Sequence, residues 1–222
     1  NVNRSPSFIF DPRSSFNLGN AGNFKKENII SFGATANNPF VQLGFTNYLI
    51  TNYAYFEGNT KTAQFSKPIN ISRFSASTKL KLSKKINWYI EGALQLTDAA
   101  APIKVPNIYT RNRLAFEGKF YKNLMLSTGL DVRYFTPYKA YGFSAVTGQF
   151  VTQDSVTIKN LPDVAAYLHF RIRGFAAYIR AENLNTVSTI NGFGFINNNF
   201  AAPHYPTPGL IIRVGIRWWF LN

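Results

Sequence analysis

RFSASTKLKL, residues 73–82, and NWYIEGALQL, residues 87–96, decide the fold, because each alternates strictly between two kinds of side chain. In the first, Phe74, Ala76, Thr78, Leu80 and Leu82 fall on one face of an extended chain, and Arg73, Ser75, Ser77, Lys79 and Lys81 on the other. In the second, Trp88, Ile90, Gly92, Leu94 and Leu96 oppose Asn87, Tyr89, Glu91, Ala93 and Gln95, with Ser83-Lys84-Lys85 as a tight turn between the two. Successive side chains of a strand point to opposite faces, so one face of this hairpin carries no charge.

The same reading extends outward. Leu114, Phe116, Gly118 and Phe120 oppose Arg113, Ala115, Glu117 and Lys119; Leu126 to Tyr134 opposes a face holding Asp131 and Arg133. Val164 to Ile172 opposes Asp163, Tyr167, His169 and Arg171, and Phe175 to Ala181 opposes Tyr178, Arg180 and Glu182. In the last strand, Leu210 to Phe220 opposes Arg213, Gly215 and Arg217. Two earlier strands, near Asn28 to Ala36 and Phe40 to Phe56, alternate less cleanly, which makes nine strands. Wherever one of these strands has two or more charges, the charges share one parity.

Alternation alone also describes a soluble β-sandwich with its apolar face inward. Three features favour lipid. The strands run about ten to thirteen residues, against about nine to eleven for a tilted bilayer crossing and five or six in most globular sheets. Connections alternate between short turns near Asn37, Ser83, Lys122 and Gly174 and long polar loops near Gly58, Ala100, Tyr141 and Asn198, as at the two ends of a membrane barrel. Finally, Trp88, Phe120, Phe175, Trp218 and Phe220 stand on the uncharged face near the short turns, where an interfacial aromatic girdle belongs. The expected fold is all-β: an antiparallel up-and-down transmembrane β-barrel, with this chain as part of the wall of a larger barrel. The chain ends just after WWF, as a terminal strand with an aromatic near its end does in bacterial outer-membrane proteins.

Composition narrows the function. Of 222 residues, 24 are basic and 10 acidic, a formal charge of +14. A nucleic-acid binder gathers such charge in one patch, whereas here it recurs singly in alternation with apolar residues, so no nucleic-acid partner is expected. No run of about eighteen apolar residues exists to form a membrane helix, and the absence of cysteine excludes thiolate chemistry and disulfides.

If the uncharged face meets lipid, the other lines a pore. The candidate lining is Arg73, Lys79, Lys81, Glu91, Arg113, Glu117, Lys119, Asp131, Arg133, His169, Arg171, Arg180, Glu182, Arg213 and Arg217. Two readings of that face stay open: a cationic lumen that concentrates anions, and a cross-strand lattice of ion pairs bracing the wall. His169 and His204 lack the companions that a metal site or a nucleophilic triad needs, so neither catalysis nor a cofactor is expected. The Pro-rich APHYPTPG, residues 202–209, reads as a rigid approach to the last strand.

The second half resembles the porin family of Bacteroidota through NIYTRNRLAFEGKF from Asn107, STGLDVRYFTPYKAYGFSAVTGQF from Ser127, LPDVAAYLHFRIRGFAAYIRAENLN from Leu161 and FAAPHYPTPGLIIRVGIRWWFLN from Phe200. That resemblance implies an outer-membrane channel of a Gram-negative bacterium, longer than this chain, with residues 1–222 as its C-terminal portion and no catalytic residues. Residues 1–25 are expected to be a loop or poorly ordered lead-in, with Phe8 to Phe16 at best a poor tenth strand. Expected partners are outer-membrane lipid and lipopolysaccharide, small hydrophilic solutes and other outer-membrane proteins. The function expected is passive diffusion of solutes; the alternative is a non-conducting structural or assembly subunit of a larger complex.

Overall fold

A computed structural model describes residues 1–4, 24–58, 61–120, 122–188, 194–196 and 199–220. In chain order its strands are β1 (Val2–Arg4), β2 (Glu27–Asn37), β3 (Val41–Thr51), β4 (Tyr53–Glu57), β5 (Lys61–Phe65), β6 (Ile69–Lys81), β7 (Ile86–Thr97), β8 (Ile108–Phe120), β9 (Leu124–Phe135), β10 (Gly142–Ser144), β11 (Gln149–Val151), β12 (Asp163–Ile172), β13 (Phe175–Glu182), β14 (Val187–Ser188), β15 (Gly194–Phe195), β16 (Phe200–Ala202), β17 (Tyr205–Pro206) and β18 (Ile211–Trp218). Ten of them form one sheet in the order β1-β2-β3-β6-β7-β8-β9-β12-β13-β18. Every pairing in it is antiparallel between neighbours along the wall, with β1 and β18 at its edges. The remaining strands are two-stranded hairpins within the long connections.

The nine long strands match the nine read from the alternation. Val2–Arg4 adds a short tenth beside β2, so the lead-in is not wholly loop. Phe8 to Phe16 lies outside the described residues.

Cross-strand register carries one parity through the wall. Lys81, Asn87, Ala115, Gly129, Tyr167, Arg180 and Arg213 follow one another across seven strands, and Leu80, Trp88, Leu114, Leu130 and Ala166 follow one another across five on the opposite face. That second face is the exposed one for large apolar side chains, including Leu80, Leu94, Leu114, Leu130, Ile179, Ile212, Val214 and Ile216. No helix of the described residues is long and apolar enough to cross a membrane. An apolar face this continuous is matched by hydrocarbon, and strands cross hydrocarbon only when every backbone group is paired in a sheet.

The short turns are held by side chains. Asn38 Oδ1 accepts bonds from the Phe40 and Val41 amides at 2.8 and 2.7 Å, and Ser83 Oγ from those of Lys85 and Ile86 at 3.2 and 3.1 Å. Such Asx and Ser turns close a hairpin without further residues. At Arg173-Gly174, Arg173 takes a left-handed φ of 48°.

Two differences from the sequence reading share a cause. The strand expected over Phe40 to Phe56 breaks at Asn52, whose φ is 57°, a conformation Asn tolerates; its Nδ2 donates to the Lys26 carbonyl at 3.1 Å. Beyond the break, β4 and β5 form their own hairpin. At the same end the charged face turns apolar: Ile29, Tyr48, Ile50, Ile69 and Ile71 share it and pack beneath Ala101 and Ile103 of the β7–β8 connection. The uncharged face turns polar there, where Asn47 Nδ2 donates to Asn70 Oδ1 at 2.6 Å and to Ser72 Oγ at 2.9 Å. Thirteen-residue β6 is about 40 Å long and outruns an apolar band about 25 Å tall even when tilted by about 40°. Its first residues therefore stand outside hydrocarbon, where the in–out rule inverts. Phe32, Phe45 and Phe74, with ring centroids 6.1 and 4.9 Å apart, mark the crossover on the uncharged face.

Candidate pore-lining face

All fifteen residues singled out in the sequence fall on the charged face by register. They divide into a paired group and an unpaired one.

Asp131, 1% exposed, is the centre of the first. Arg111 grips it in a two-pronged pair, Nε to Oδ1 at 3.0 Å and Nη2 to Oδ2 at 2.8 Å, a geometry that only a guanidinium can supply. Arg180 and Arg133 approach the same Oδ2 at 3.4 and 3.6 Å. Arg180 also donates to Glu182 at 2.9 Å, and Glu182 accepts from Arg213 at 2.8 Å, so the lattice runs from β8 to β18. Glu91 joins at its edge, 4.0 Å from Arg111. Arg111 lies outside the alternation read from Arg113 onward, although TRNR puts both arginines on one parity; register carries the strand back to Ile108.

A second unit is built on Tyr89. Its hydroxyl donates to Glu117 at 2.8 and 3.0 Å, and Asn87 Nδ2 donates to the same carboxylate at 2.8 Å. Lys79 Nζ and the Arg113 guanidinium lie over its ring, 4.9 and 4.1 Å from the centroid. Arg113 opposes Asp131 in register, yet it stacks on Tyr89 because Arg111 already occupies the carboxylate. Lys79 reaches Glu117 at 3.8 Å.

The unpaired group lies toward the short turns. Lys119, Met125, Arg171, Ala176 and Arg217 follow one another across five strands with no acid among them. Arg171 and Arg217 both face the Trp219 ring, 5.2 and 4.7 Å from its centroid. Arg73 and Lys81 are likewise without an ion pair among the described residues. His169 sits between Tyr167 and Tyr178, with centroids at 5.0 and 5.7 Å, a ring stack and not a ligand set. Among the described residues, no group of three or more His, Cys, Asp or Glu side chains is placed to hold a metal ion.

Two glycines of this region permit close approach. A Cβ at Gly129 would collide with the Leu114 carbonyl, and one at Gly215 with the Tyr178 ring, which lies against that strand. On the opposite face Phe175, Trp218 and Phe220 form a run of rings, with centroids 5.7 Å apart and then 5.5 Å, at the level of the short turns. Lys85 Nζ sits 5.9 and 5.8 Å from the Phe116 and Phe120 rings, a cation placed where headgroups would be.

A wall of antiparallel strands, aromatic at its edge, apolar on one side and ionic on the other, defines an outer-membrane β-barrel protein. The chain belongs to the family described as "Putative porin", whose sequence model matches residues 1–222. No curated protein matches the chain. Among solved structures, it is similar to the "Copper transporter OprC", with a TM-score of 0.64 at 15% identity. That match covers 99% of this chain and 36% of the other, so the chain spans about a third of that barrel's length. At this identity the likeness is one of fold. The ten-stranded antiparallel sheet, with β1 and β18 at its edges, matches part of that structure's fold.

Proposed function

We propose that the chain is part of the wall of a diffusion channel for small hydrophilic solutes, with the charged face lining its lumen and favouring anions. The observation that carries this reading is the separation of charge along that face. Where Asp131, Glu182 and Glu117 stand, the cations are held by carboxylates and brace the wall. Toward the short turns Lys119, Arg171 and Arg217 have no acid among the described residues to neutralise them, and Lys122 and Arg173 add charge in the adjoining turns. The lattice and the anion field, open alternatives in the sequence, thus occupy different depths of one face. Fixed positive charge beside a low-dielectric wall raises the local concentration of anions.

In the full-length protein in a planar bilayer, a salt gradient should give reversal potentials of anion-selective sign. A sealed membrane at all voltages overturns the channel, and a cation-selective sign overturns the preference. One observation favours the structural alternative: the β7–β8 connection overlies the charged face at the long-loop end through Ala101 and Ile103. A barrel plugged in this way gives no conductance and co-purifies with partners at fixed stoichiometry.

A further inference from the structure

The unpaired cations bound a cavity of about 870 Å³ at the short-turn end of β8, β9, β12, β13 and β18. Its volume is that of a site for a small organic molecule. Two kinds of side chain meet in it. Lys119, Arg171 and Arg217 supply positive charge, and the one acid in the lining, Glu117, is occupied by Asn87 and Tyr89. Met125, Tyr178 and Trp219 supply apolar surface. Met125 is 54% exposed and Tyr178 42% exposed on a face otherwise ionic. The Tyr178 ring lies against Gly215, the position where no side chain lifts it from the sheet.

From this juxtaposition the geometry points to a binding subsite for an anion with a planar apolar body, an aromatic carboxylate in chemical class, within the channel proposed above. Among the described residues neither guanidinium is engaged by a carboxylate, so a ligand carboxylate can take the two-pronged bonds that Asp131 takes from Arg111 higher on the same face. The ring of the same ligand finds a polarisable thioether and two aromatic rings. Simple inorganic anions use the charge alone; an anion with a ring uses both halves, which makes the alcove a selectivity element and not only a source of field.

The test is equilibrium binding of benzoate to the full-length protein in detergent, with acetate reporting charge alone and benzyl alcohol reporting the ring alone. Benzoate should bind at least tenfold more tightly than either. Arg171→Gln with Arg217→Gln should weaken benzoate at least tenfold, whereas Lys84→Gln in the β6–β7 turn should not. Lys119→Glu reads the same cavity through a residue with no ion pair among the described residues and covers the case in which the double variant fails to fold. Equal affinity for benzoate and acetate, or benzoate binding indifferent to these cavity variants, overturns the subsite. Conductance is read separately in a bilayer: a sealed barrel that still prefers benzoate removes the channel reading alone, and a conducting one without the preference removes the subsite alone.

Discussion

Replacing Asp131 with Asn should destabilise the wall more than the removal of any other single charge on the charged face. The carboxylate is 1% exposed and is shared by Arg111, Arg133 and Arg180. Removing one partner of a buried pair costs about 3–5 kcal/mol, chiefly because the charge left behind is uncompensated. The three arginine side chains are 31%, 46% and 20% exposed, so water offsets part of the loss and about 2–3 kcal/mol remains. The assay is guanidinium unfolding of the full-length barrel from lipid vesicles, followed by tryptophan fluorescence. A cycle with Arg111→Gln should show a coupling of about 1–3 kcal/mol, since these two groups make both bonds of the two-pronged pair. The same variant removes a negative charge from the proposed lumen, so its reversal potential should move further toward anion selectivity. A loss below about 0.5 kcal/mol, with no coupling, would show that the lattice does not brace the wall.

Other consequences follow from the same geometry. Val214→Arg, on the uncharged face of β18, should cost about 2–4 kcal/mol in vesicle unfolding, whereas Ser77→Arg on the other face should change stability by less than about 1 kcal/mol. Gly129→Val should fold poorly or lose about 1–3 kcal/mol through overlap with the Leu114 carbonyl, measured by the same unfolding curve. In the long loops, Lys104 and Lys139 stand 3.1 and 3.5 Å from Asp154, and the bond from Lys104 holds that carboxyl below its ordinary value of 3.8. A depressed carboxyl contributes its stability above the ordinary value and loses it as the pH falls through the lower one. Amide protection in residues 98–107, the observed exchange rate taken relative to the intrinsic rate at each pH, should therefore be constant between about pH 5 and 8 and fall only below about pH 3.8.

Most of the wall was legible because hydrocarbon on one side and water on the other impose a parity that each strand must obey by itself. Arg73, Lys79 and Lys81 needed nothing beyond β6 to be placed. What escaped depended on partners distant in the chain. Trp219 reads as one more ring of an aromatic terminus, and only Arg171, brought beside it by two intervening hairpin connections, shows it facing the cations. Tyr53 to Phe56 continues the apolar rhythm of β3, so the break at Asn52 is invisible until the left-handed turn and the separate hairpin are seen. Ile29, Ile50 and Ile69 blurred the early strands because a loop covers them, and loop packing leaves no period in the sequence. Whether the cations were neutralised also lay outside the alternation, because it depends on which strands become neighbours.

The chain has no cysteine, so single cysteines carrying a nitroxide can be set at each position from Phe74 to Lys81 of the full-length protein in lipid. The account predicts that collisions with oxygen, which concentrates in hydrocarbon, peak at positions 74, 76, 78 and 80, and that collisions with a water-soluble nickel chelate peak at 75, 77, 79 and 81. Opposite parity, or labels at 74, 76, 78 and 80 shielded from both reagents as in a protein core, would contradict it.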